Sequence, residues 1–388
     1  MSKKKILVCN QTDKFWGGEV SLEKLLIGLN DHYQIYFLTP GGILAKKVRG
    51  EINVINSKGL GQLDRSRNRL WLFKLLRQFI MSFFEVFFYI ILLKPNVIHC
   101  FSETAAFYAV LPSRLLGKKI ICQVHLILSK SSFWGKMSLF IGLFVDHYIV
   151  VSKAVKKRMV EIGHDKKKIS VLYSGTDSDN LFNPLKVSKG LFRSKFRFLS
   201  STRLIGLIGS LSPLKGQHIF IKAISVLKKN KQIPKDGKFL IIGSTLDDKY
   251  FGELKNIVET NDLKDDVIFI NKVDYEFIPN ILKDLDVFVF SSCLPDAFPR
   301  SVVEAMAMEK IIIASNIGGV REQIEDGVTG ILYNSEDVQE LVQKLIHVNN
   351  THQQMKVMGL KAREYVIQNL SDKVYRKNLI TSYNELYS

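Results

Sequence analysis

A lysine in the second half of the chain has the setting that binding a phosphorylated ligand requires. Lys215 lies in GSLSPLKG, between an apolar run typical of a strand and the helical pattern HIFIKAISVL. A lysine at such a turn can neutralise a diphosphate, and the hydroxyls of Ser210 and Ser212 can add hydrogen bonds. An ordinary solvated lysine explains the same pattern equally well, so this segment alone leaves the site undecided.

Two acids follow in SSCLPDAFPRSVVEAMAMEK, with Asp296 in a predicted loop and Glu304 eight residues later on a predicted helix. Glu304 stands among apolar neighbours, and a carboxylate in such a helix must be hydrogen-bonded. A vicinal diol is a suitable bidentate partner for it. A backbone group or an arginine nearby is the alternative.

The first half offers a glycine pair and a histidine. Gly17 and Gly18 precede a helical pattern, where glycine lets a ligand approach the backbone and a helix N-terminus attracts phosphate. A tight turn explains the pair at least as well, and the dinucleotide fingerprint GxGxxG is absent. His125 ends the apolar run KIICQVH; a lone histidine there is more often structural.

Metal chemistry has little support in the sequence. Two Asp-x-Asp triplets occur, at Asp177–Asp179 and Asp284–Asp286, but the second precedes its strand and chance explains both. The four cysteines have no metal-site spacing and are expected to be reduced, buried thiols of a cytosolic protein. We therefore expect neither a metal nor a cofactor.

Short apolar strand patterns alternate with helical ones through both halves, which is typical of parallel α/β domains. We predict an N-terminal Rossmann-like domain, residues 1–187, that also includes a last helix, 371–388. The second Rossmann-like domain is residues 188–370. Ligands of such sheets bind beyond the carboxyl ends of the strands, so the chemistry is expected at the loops that follow the strands.

Charge is concentrated in the first half. The net charge is +18, and residues 1–188 carry 28 basic and 13 acidic residues. This asymmetry suits an anionic membrane surface or nucleic acid, but no nucleic-acid-binding motif is recognisable. Segment 70–93 is apolar with a polar stripe, and interrupting charges favour a sheet-covering amphipathic helix, with an edge that can touch lipid, over a membrane span. The N-terminal apolar run is too short for a signal peptide.

In this order, the segments resemble the family 4 retaining glycosyltransferases, and the resemblance covers nearly the whole chain. The matching segments are WGGEVSLEKLL, PNVIHCF, QVH, VVSKAVKKRMVEIG, VLYSGTD, GSLSPLKGQHIFIKAI, DVFVFSSCLPDAFPRSVVEAMAM and IASNIGGVREQIEDGVTGIL. The resemblance implies the GT-B arrangement, two Rossmann-like domains facing across a cleft that holds a nucleotide-sugar donor.

The resemblance also implies roles for individual residues. Lys215 binds the diphosphate and Glu304 the ribose, while Asp296 and the main chain at Ala297 and Phe298 hold the transferred sugar. Gly17 and Gly18 approach the donor from the first domain, His125 contacts the sugar near the reacting carbon, and the acceptor lies on the first domain. Transfer is expected to proceed with retention and without a metal.

The sequence departs from the family pattern at three positions. Ser210 stands where an arginine usually pairs with the lysine, and Arg203 or Arg300 could substitute for it. Asp296 replaces the usual glutamate, and Ser174 stands where an Asn-Gly turn is common.

The expected protein is a cytoplasmic enzyme, peripheral to the inner face of the membrane. It would transfer sugar to a lipid-linked saccharide in cell-surface polysaccharide or lipopolysaccharide synthesis. A sugar-nucleotide epimerase or phosphorylase of the same architecture, and a catalytically silent sugar-nucleotide or membrane-binding protein, are the alternatives.

Overall fold

A computed structural model describes residues 3–15, 17–62, 71–271 and 273–387; the side chains of residues 133, 134, 386 and 387 are not described. Trp16 of the glycine motif and Leu70 at the start of the predicted helix lie outside the described residues. The chain divides into an N-terminal unit, Met1–Ser174 with Tyr375–Ser388, and a C-terminal unit, Gly175–Val374.

The N-terminal unit contains a parallel sheet whose described strands have the order β3-β2-β1-β4-β5-β6-β7. The strands are β1 (Lys5–Cys9), β2 (Gln34–Thr39), β3 (Asn53–Asn56), β4 (Val97–Cys100), β5 (Lys119–Val124), β6 (His147–Val150) and β7 (Ile169–Val171). The helices are α1 (Gly17–Asn30), α2 (Gly42–Val48), α3 (Trp71–Leu93), α4 (Glu103–Leu115), α5 (Phe133–Gly142) and α6 (Lys153–Ile162).

The C-terminal unit repeats this plan with a parallel sheet in the order β10-β9-β8-β11-β12-β13. Its strands are β8 (Arg203–Ile208), β9 (Gly237–Ile242), β10 (Val267–Ile270), β11 (Val287–Phe290), β12 (Ile311–Ser315) and β13 (Ile331–Tyr333). Its helices are α7 (Leu191–Lys195), α8 (Gln217–Lys229), α9 (Asp248–Thr260), α10 (Ile278–Asp284), α11 (Arg300–Ala307), α12 (Val338–Asn350) and α13 (His352–Tyr365).

Both sheets confirm the predicted fold class of two Rossmann-like α/β domains. Their strands read as unbroken apolar runs because each sheet is buried, and the apolar residues form a core in each unit. β7, only three residues long, is the strand that the apolar patterns did not predict. In both sheets the strand order reverses between two neighbours, β1 and β4 in one and β8 and β11 in the other. Ligands bind at such switch points in open α/β sheets.

The final helix, α14 (Asp372–Tyr387), joins the core of the N-terminal unit from Tyr375 onward. Tyr375, Leu379 and Tyr383 are buried there. The hydroxyl of Tyr383 contacts Nδ1 of His99, and Nε2 of Gln123 donates to the Tyr375 hydroxyl at 3.4 Å.

The division between the units lies earlier in the chain than the predicted boundary after residue 187. Residues 175–187 belong to the C-terminal unit because its side chains bind their backbone. The guanidinium of Arg363 donates to the carbonyls of Phe182 and Ser178, each at 3.2 Å. The backbone N–H of Thr176 donates to the carbonyl of Leu370 at 2.9 Å.

Helix α3 does not cover the sheet with its apolar face, contrary to the sequence prediction. Its buried residues are Ser82, Val86 and Ile90. The carboxylate of Glu85, from the polar stripe, accepts hydrogen bonds from the backbone N–H groups of Lys58 and Gly59 at 3.0 and 2.9 Å. These polar contacts fix the stripe against the unit, and the large apolar side chains therefore face outward.

The outward apolar face of α3 consists of Leu72, Phe73, Leu76, Ile80, Met81, Phe84, Phe88, Ile91 and Leu92. Of the helices in the described residues, α3 alone is long and apolar enough to span a bilayer by length and composition. This test does not separate a span from an interfacial helix.

Candidate active site

The candidate site of the C-terminal unit lies at the carboxyl ends of β8 and β11. Lys215 ends a short 3-10 turn, Pro213–Lys215, that leads from β8 into α8. Its ammonium forms an ion pair with the carboxylate of Asp296 in the loop after β11. The two side chains are 29% and 21% exposed, so the pair is open to solvent on one side. The structure thus brings together two of the predicted site residues.

The turn that carries Lys215 is fixed to the end of β11. Gly216 has φ +65°, and a Cβ there would lie 1.8 Å from the carbonyl oxygen of Ser291. The Ser291 hydroxyl donates to the carbonyl of Gly216 at 2.8 Å, and that of Ser292 donates to the carbonyl of Leu214 at 2.7 Å. Only glycine permits this approach, so the position of Lys215 is set by backbone packing rather than by its own side chain.

The loop that carries Asp296 is fixed by the glycine pair after β12. Gly318 has φ +57°, and the backbone N–H of Gly319 donates to the carbonyl of Asp296 at 2.9 Å. A Cβ on Gly319 would lie 2.1 Å from the carbonyl oxygen of Ala297. The side chains of Ala297 and Phe298 are buried. The motif IGGV therefore holds the Asp296 loop in place.

Glu304 lies on α11, where its carboxylate is 7% exposed. Its Oε1 accepts a hydrogen bond from the Tyr275 hydroxyl at 2.8 Å and from Nη2 of Arg300 at 3.2 Å. This is the arginine partner that the sequence left open as an alternative. Both of these hydrogen bonds go to Oε1, so the other carboxylate oxygen, Oε2, keeps its capacity to accept.

The carboxylate of Glu304 and the guanidinium of Arg300 stabilise each other's charge, and the Tyr275 hydroxyl stays protonated beside them. Burial and the Glu304 charge raise the pKa of Tyr275 well above its usual value, so its hydroxyl keeps the proton that it donates. Burial opposes the charge of Arg300, but the neighbouring Tyr275 and Glu304 outweigh it and raise its pKa. Tyr275 was not predicted, because no local pattern connects it with a residue 29 positions later in the chain.

Neither Arg203 nor Arg300 can take the place of the arginine that family members usually have at the position of Ser210. Arg203 begins β8 and Ser210 follows its end. A strand residue rises about 3.3 Å, so the length of β8 places Arg203 at the opposite edge of the sheet. Arg300 is bound to Glu304 and Tyr275. Ser210 itself is partly exposed at the site edge, and its carbonyl accepts from Nε2 of Gln217 at 2.9 Å.

The N-terminal unit has a separate group of candidate residues at its own switch point. Gly17 and Gly18 begin α1. A Cβ built on Gly18 would meet no described atom within 4 Å, and the backbone there is not left-handed. Packing therefore does not require glycine at this position, whereas close approach by a ligand would. His125 directly follows β5, and its ring lies 4.4 Å from that of Phe101, centroid to centroid.

Two polar residues at this edge were not predicted. Asn10 follows β1 and is 1% exposed, and neither polar atom of its side chain has a hydrogen-bond partner in the described part of the chain. Glu103 begins α4 after β4, and its Oε1 is equally without a partner there. Burial raises the pKa of Glu103 to about 7, although its own backbone N–H partly offsets the effect.

The loops that carry these two residues are tied together. The hydroxyl of Ser102 donates to Oε1 of Gln11 at 2.6 Å and accepts from the backbone N–H of Ala105 at 3.0 Å, which caps α4. In sequence, Asn10 and Glu103 are merely polar residues after apolar runs. Only the pairing of β1 with β4, which the sequence does not reveal, places their loops side by side.

The Asp-x-Asp triplets have structural roles. Oδ1 of Asp177 accepts from the backbone N–H of Asn180 at 3.0 Å, and Asp179 pairs with Lys373 at 3.0 Å. Oδ1 of Asp284 accepts from the backbone N–H of Gly190 at 2.6 Å. Within the described ranges, no group of three or more potential ligands is arranged to hold a metal ion.

The fold and the two edge sites define the class first: this is a two-domain GT-B protein. A crystal structure of Anabaena HepE in complex with UDP and glucose matches with a TM-score of 0.82 over 98% of this chain and 99% of that chain, at 20% identity. Two family models match as well, Glycosyltransferase Family 4 over residues 16–180 and Glycosyl transferases group 1 over residues 189–365. The chain belongs to the family 4 glycosyltransferases.

Curated relatives agree with this assignment. An uncharacterized glycosyltransferase of Methanocaldococcus jannaschii is 27% identical over 71% of this chain and 72% of its own length. A UDP-Gal:alpha-D-GlcNAc-diphosphoundecaprenol alpha-1,3-galactosyltransferase of Escherichia coli is 25% identical over 71% of each.

Proposed function

We propose that this glycosyltransferase moves a sugar, with retention at the anomeric carbon, from a nucleoside-diphosphate sugar to a lipid-linked saccharide. The C-terminal unit would bind the donor and the N-terminal unit the acceptor. The observation that carries the proposal is the convergence of Lys215 and Asp296, from two distant segments, at the switch point of the C-terminal sheet.

Lys215 would bind the diphosphate, exchanging its carboxylate partner for phosphate oxygens. Asp296, once released, would accept hydrogen bonds from hydroxyls of the transferred sugar, with the main chain at Ala297 and Phe298 beside it. Oε2 of Glu304 would accept from a ribose hydroxyl. Gly17, Gly18 and His125 would contribute from the N-terminal unit. The relatives with UDP in their names make UDP-sugars the first donors to test.

In the proposed reaction the acceptor oxygen bonds to the anomeric carbon on the face from which the diphosphate leaves. The carbon–oxygen bond to the phosphate breaks, and its electron pair goes to the diphosphate. The departing phosphate takes the proton of the acceptor hydroxyl. The residues of this chain would stabilise the growing negative charge, with Lys215 as the principal cation. No step requires a metal or a cofactor.

The acceptor side of the proposal rests on Asn10 and Glu103. Buried polar groups normally have hydrogen-bond partners, and these two side chains point to a ligand with hydroxyl groups. With its raised pKa, Glu103 can also be protonated near neutral pH and donate a hydrogen bond. We therefore propose that both contact the acceptor saccharide.

The outward apolar face of α3 and the excess of basic residues in the N-terminal half support attachment to the cytoplasmic surface of an anionic membrane. Synthesis of a cell-surface polysaccharide or lipopolysaccharide would use an acceptor at that surface. Sedimentation with anionic vesicles should fall sharply at high salt. Equal binding to neutral vesicles would contradict the electrostatic part.

Donor hydrolysis tests the catalytic part of the proposal. Purified protein should be stabilised by one nucleoside diphosphate from a UDP, GDP and ADP panel, and should slowly hydrolyse the matching sugar nucleotide. Binding without hydrolysis or transfer would favour the second candidate, a catalytically silent sugar-nucleotide-binding protein. That candidate is favoured by Ser210, since neither Arg203 nor Arg300 compensates for it. Conversion of one sugar nucleotide to another would instead indicate an epimerase.

A further inference from the structure

An apolar cavity of about 480 Å³ lies in the N-terminal unit among α3, α4 and α5. Its lining is apolar throughout, from Leu72, Leu75, Leu76, Phe79, Phe107, Val110, Leu111, Phe140, Ile141 and Phe144. The volume falls in the range of small-molecule pockets. A cavity of this composition does not hold ordered water well and takes apolar ligands.

One end of the cavity lies toward the carboxyl edge of the sheet, where the acceptor is proposed to bind. Helices that link parallel strands run antiparallel to them, so the first turns of α3 and α4 lie at the carboxyl edge of the sheet. The cavity is lined there by those turns of α3, from Leu72 to Phe79, and by Phe107, which follows Glu103 by one turn of α4. It extends from there along α4 to the last turn of α5, at Phe140, which lies toward the opposite edge of the sheet.

Charge around the cavity indicates what kind of apolar ligand it takes. Exposed cationic residues stand on the helices that line it or just before them, among them Arg77 on α3 and Lys136 on α5, with Lys130 before α5. The acid of α3, Glu85, is bound to the loop at Lys58 and Gly59. An apolar chain that carries a phosphate matches both the apolar lining and the exposed cationic residues of these helices.

We propose that this cavity binds the alkyl or isoprenyl chain of the phosphate-linked acceptor, close to the phosphate. The proposal rests on the proposed function, because it identifies the ligand as the lipid part of the acceptor. It assigns α3 a second role besides contact with the bilayer, since its first turns form one wall of a binding site.

Binding of dodecyl phosphate and butyl phosphate, measured by calorimetry without vesicles and below the micelle concentration, tests this proposal. Dodecyl phosphate should bind one to one, and butyl phosphate at least tenfold more weakly. Leu111→Trp and Leu76→Trp place bulk into the cavity from α4 and α3. Both residues are more than one-third exposed, so the larger side chain can be accommodated. Each variant should bind dodecyl phosphate at least tenfold more weakly than the unchanged protein does.

Leu143→Trp is the matched control, because Leu143 is 71% exposed near the end of α5 but does not line the cavity. It should bind dodecyl phosphate as the unchanged protein does. Equal binding of the two phosphates, or unchanged binding in both filling variants, would overturn the proposal and leave α3 as a bilayer contact only. Stabilisation by nucleoside diphosphate is measured in parallel. If no nucleoside diphosphate stabilises the unchanged protein or any variant, while dodecyl phosphate still binds, the proposed function fails and the cavity assignment stands.

Discussion

The ammonium of Lys215 and the carboxylate of Asp296 form an ion pair across the carboxyl ends of β8 and β11. Each residue is held by a glycine that approaches a neighbouring backbone, Gly216 for the first and Gly319 for the second. The two charged groups are therefore positioned by the fold and neutralise each other. Binding of a donor would separate them. Its diphosphate would pair with Lys215 in place of the carboxylate, and its sugar would bind Asp296 in place of the ammonium.

Asp296→Asn should separate binding of the nucleoside diphosphate from transfer of the sugar. UDP has no sugar to contact Asp296, and Lys215 loses its competing anion, so we expect UDP affinity to stay the same or increase. Sugar transfer and donor hydrolysis should fall by about 10²–10³, the loss typical of a removed hydrogen bond to a reacting group. Calorimetry with UDP and steady-state rates with the sugar nucleotide measure the two effects.

Asp296→Glu is the control for this experiment, because it installs the residue that the family pattern usually has. It should keep transfer within about tenfold of the unchanged protein, the loss expected from repositioning a retained carboxylate. If the Asn variant loses UDP binding while remaining folded, Asp296 positions Lys215 and does not serve the sugar.

Glu304→Gln should reduce discrimination at the ribose. The free Oε2 of Glu304 is the acceptor that would distinguish UDP from 2′-deoxy-UDP, and a neutral amide accepts more weakly. We expect the unchanged protein to prefer UDP and the variant to bind the two nucleotides with a ratio closer to one. Competition calorimetry gives both affinities.

Glu304 also supports Arg300, so stability must be measured beside affinity. Removing one partner of a buried ion pair costs about 3–5 kcal/mol, and Glu304→Ala should show a loss of this order in urea unfolding. Tyr275→Phe removes one donor, keeps the carboxylate, and should cost about 1 kcal/mol with the ribose preference intact. Glu304 would be structural only if the Gln variant kept the full preference for ribose.

Ser210→Arg should strengthen binding of the diphosphate. Ser210 occupies the position of the family arginine, and neither Arg203 nor Arg300 can reach that role. A new charged hydrogen bond contributes about 1.5–3 kcal/mol, which corresponds to a gain of at least tenfold in UDP affinity. Ser210→Gln, long but neutral, is the control. Weaker UDP binding in the Arg variant would indicate that the diphosphate lies elsewhere.

Glu103 should make the folded protein less stable as the pH rises. Its pKa is about 7 in the folded state against an ordinary value of 4.5, so the folded state retains a proton that the unfolded chain has lost. The contribution of the protonated Glu103 to the free energy of unfolding is complete below pH 4.5 and is lost as the pH rises through 7. The free energy of unfolding falls by at most about 1.4 kcal/mol per pH unit over this range. Urea unfolding at pH 5, 6 and 7 should show this slope, and Glu103→Gln should lack it. An identical slope in the variant would mean that other groups cause it.

The sequence predicted the parts of the fold that depend on local pattern. Apolar runs located twelve of the thirteen described strands, and the spacing of Lys215, Asp296 and Glu304 located residues that the structure places at the carboxyl edge of one sheet. What it missed depends on pairing between distant segments. Tyr275 reaches Glu304 through tertiary packing, and the loops of Asn10 and Glu103 meet because β1 pairs with β4.

The prediction that α3 covers the sheet with its apolar face was wrong for a related reason. An amphipathic helix usually buries its apolar face, and the periodicity does not show which face the protein uses. Here the hydrogen bonds of Glu85 with the backbone at Lys58 and Gly59 decide which face packs against the unit. The domain boundary was similarly misplaced because the backbone contacts of Arg363 with residues 178 and 182 cannot be read from the sequence.

The central claim is that the C-terminal unit binds the diphosphate of a sugar nucleotide through Lys215, and UDP calorimetry on Lys215→Ala tests it most directly. Lys222→Ala is the matched control, since Lys222 is an exposed lysine on α8 of the same unit. The account predicts at least tenfold weaker UDP binding for Lys215→Ala and unchanged binding for Lys222→Ala. If a folded Lys215→Ala protein binds UDP as tightly as the unchanged protein does, the proposed site is contradicted.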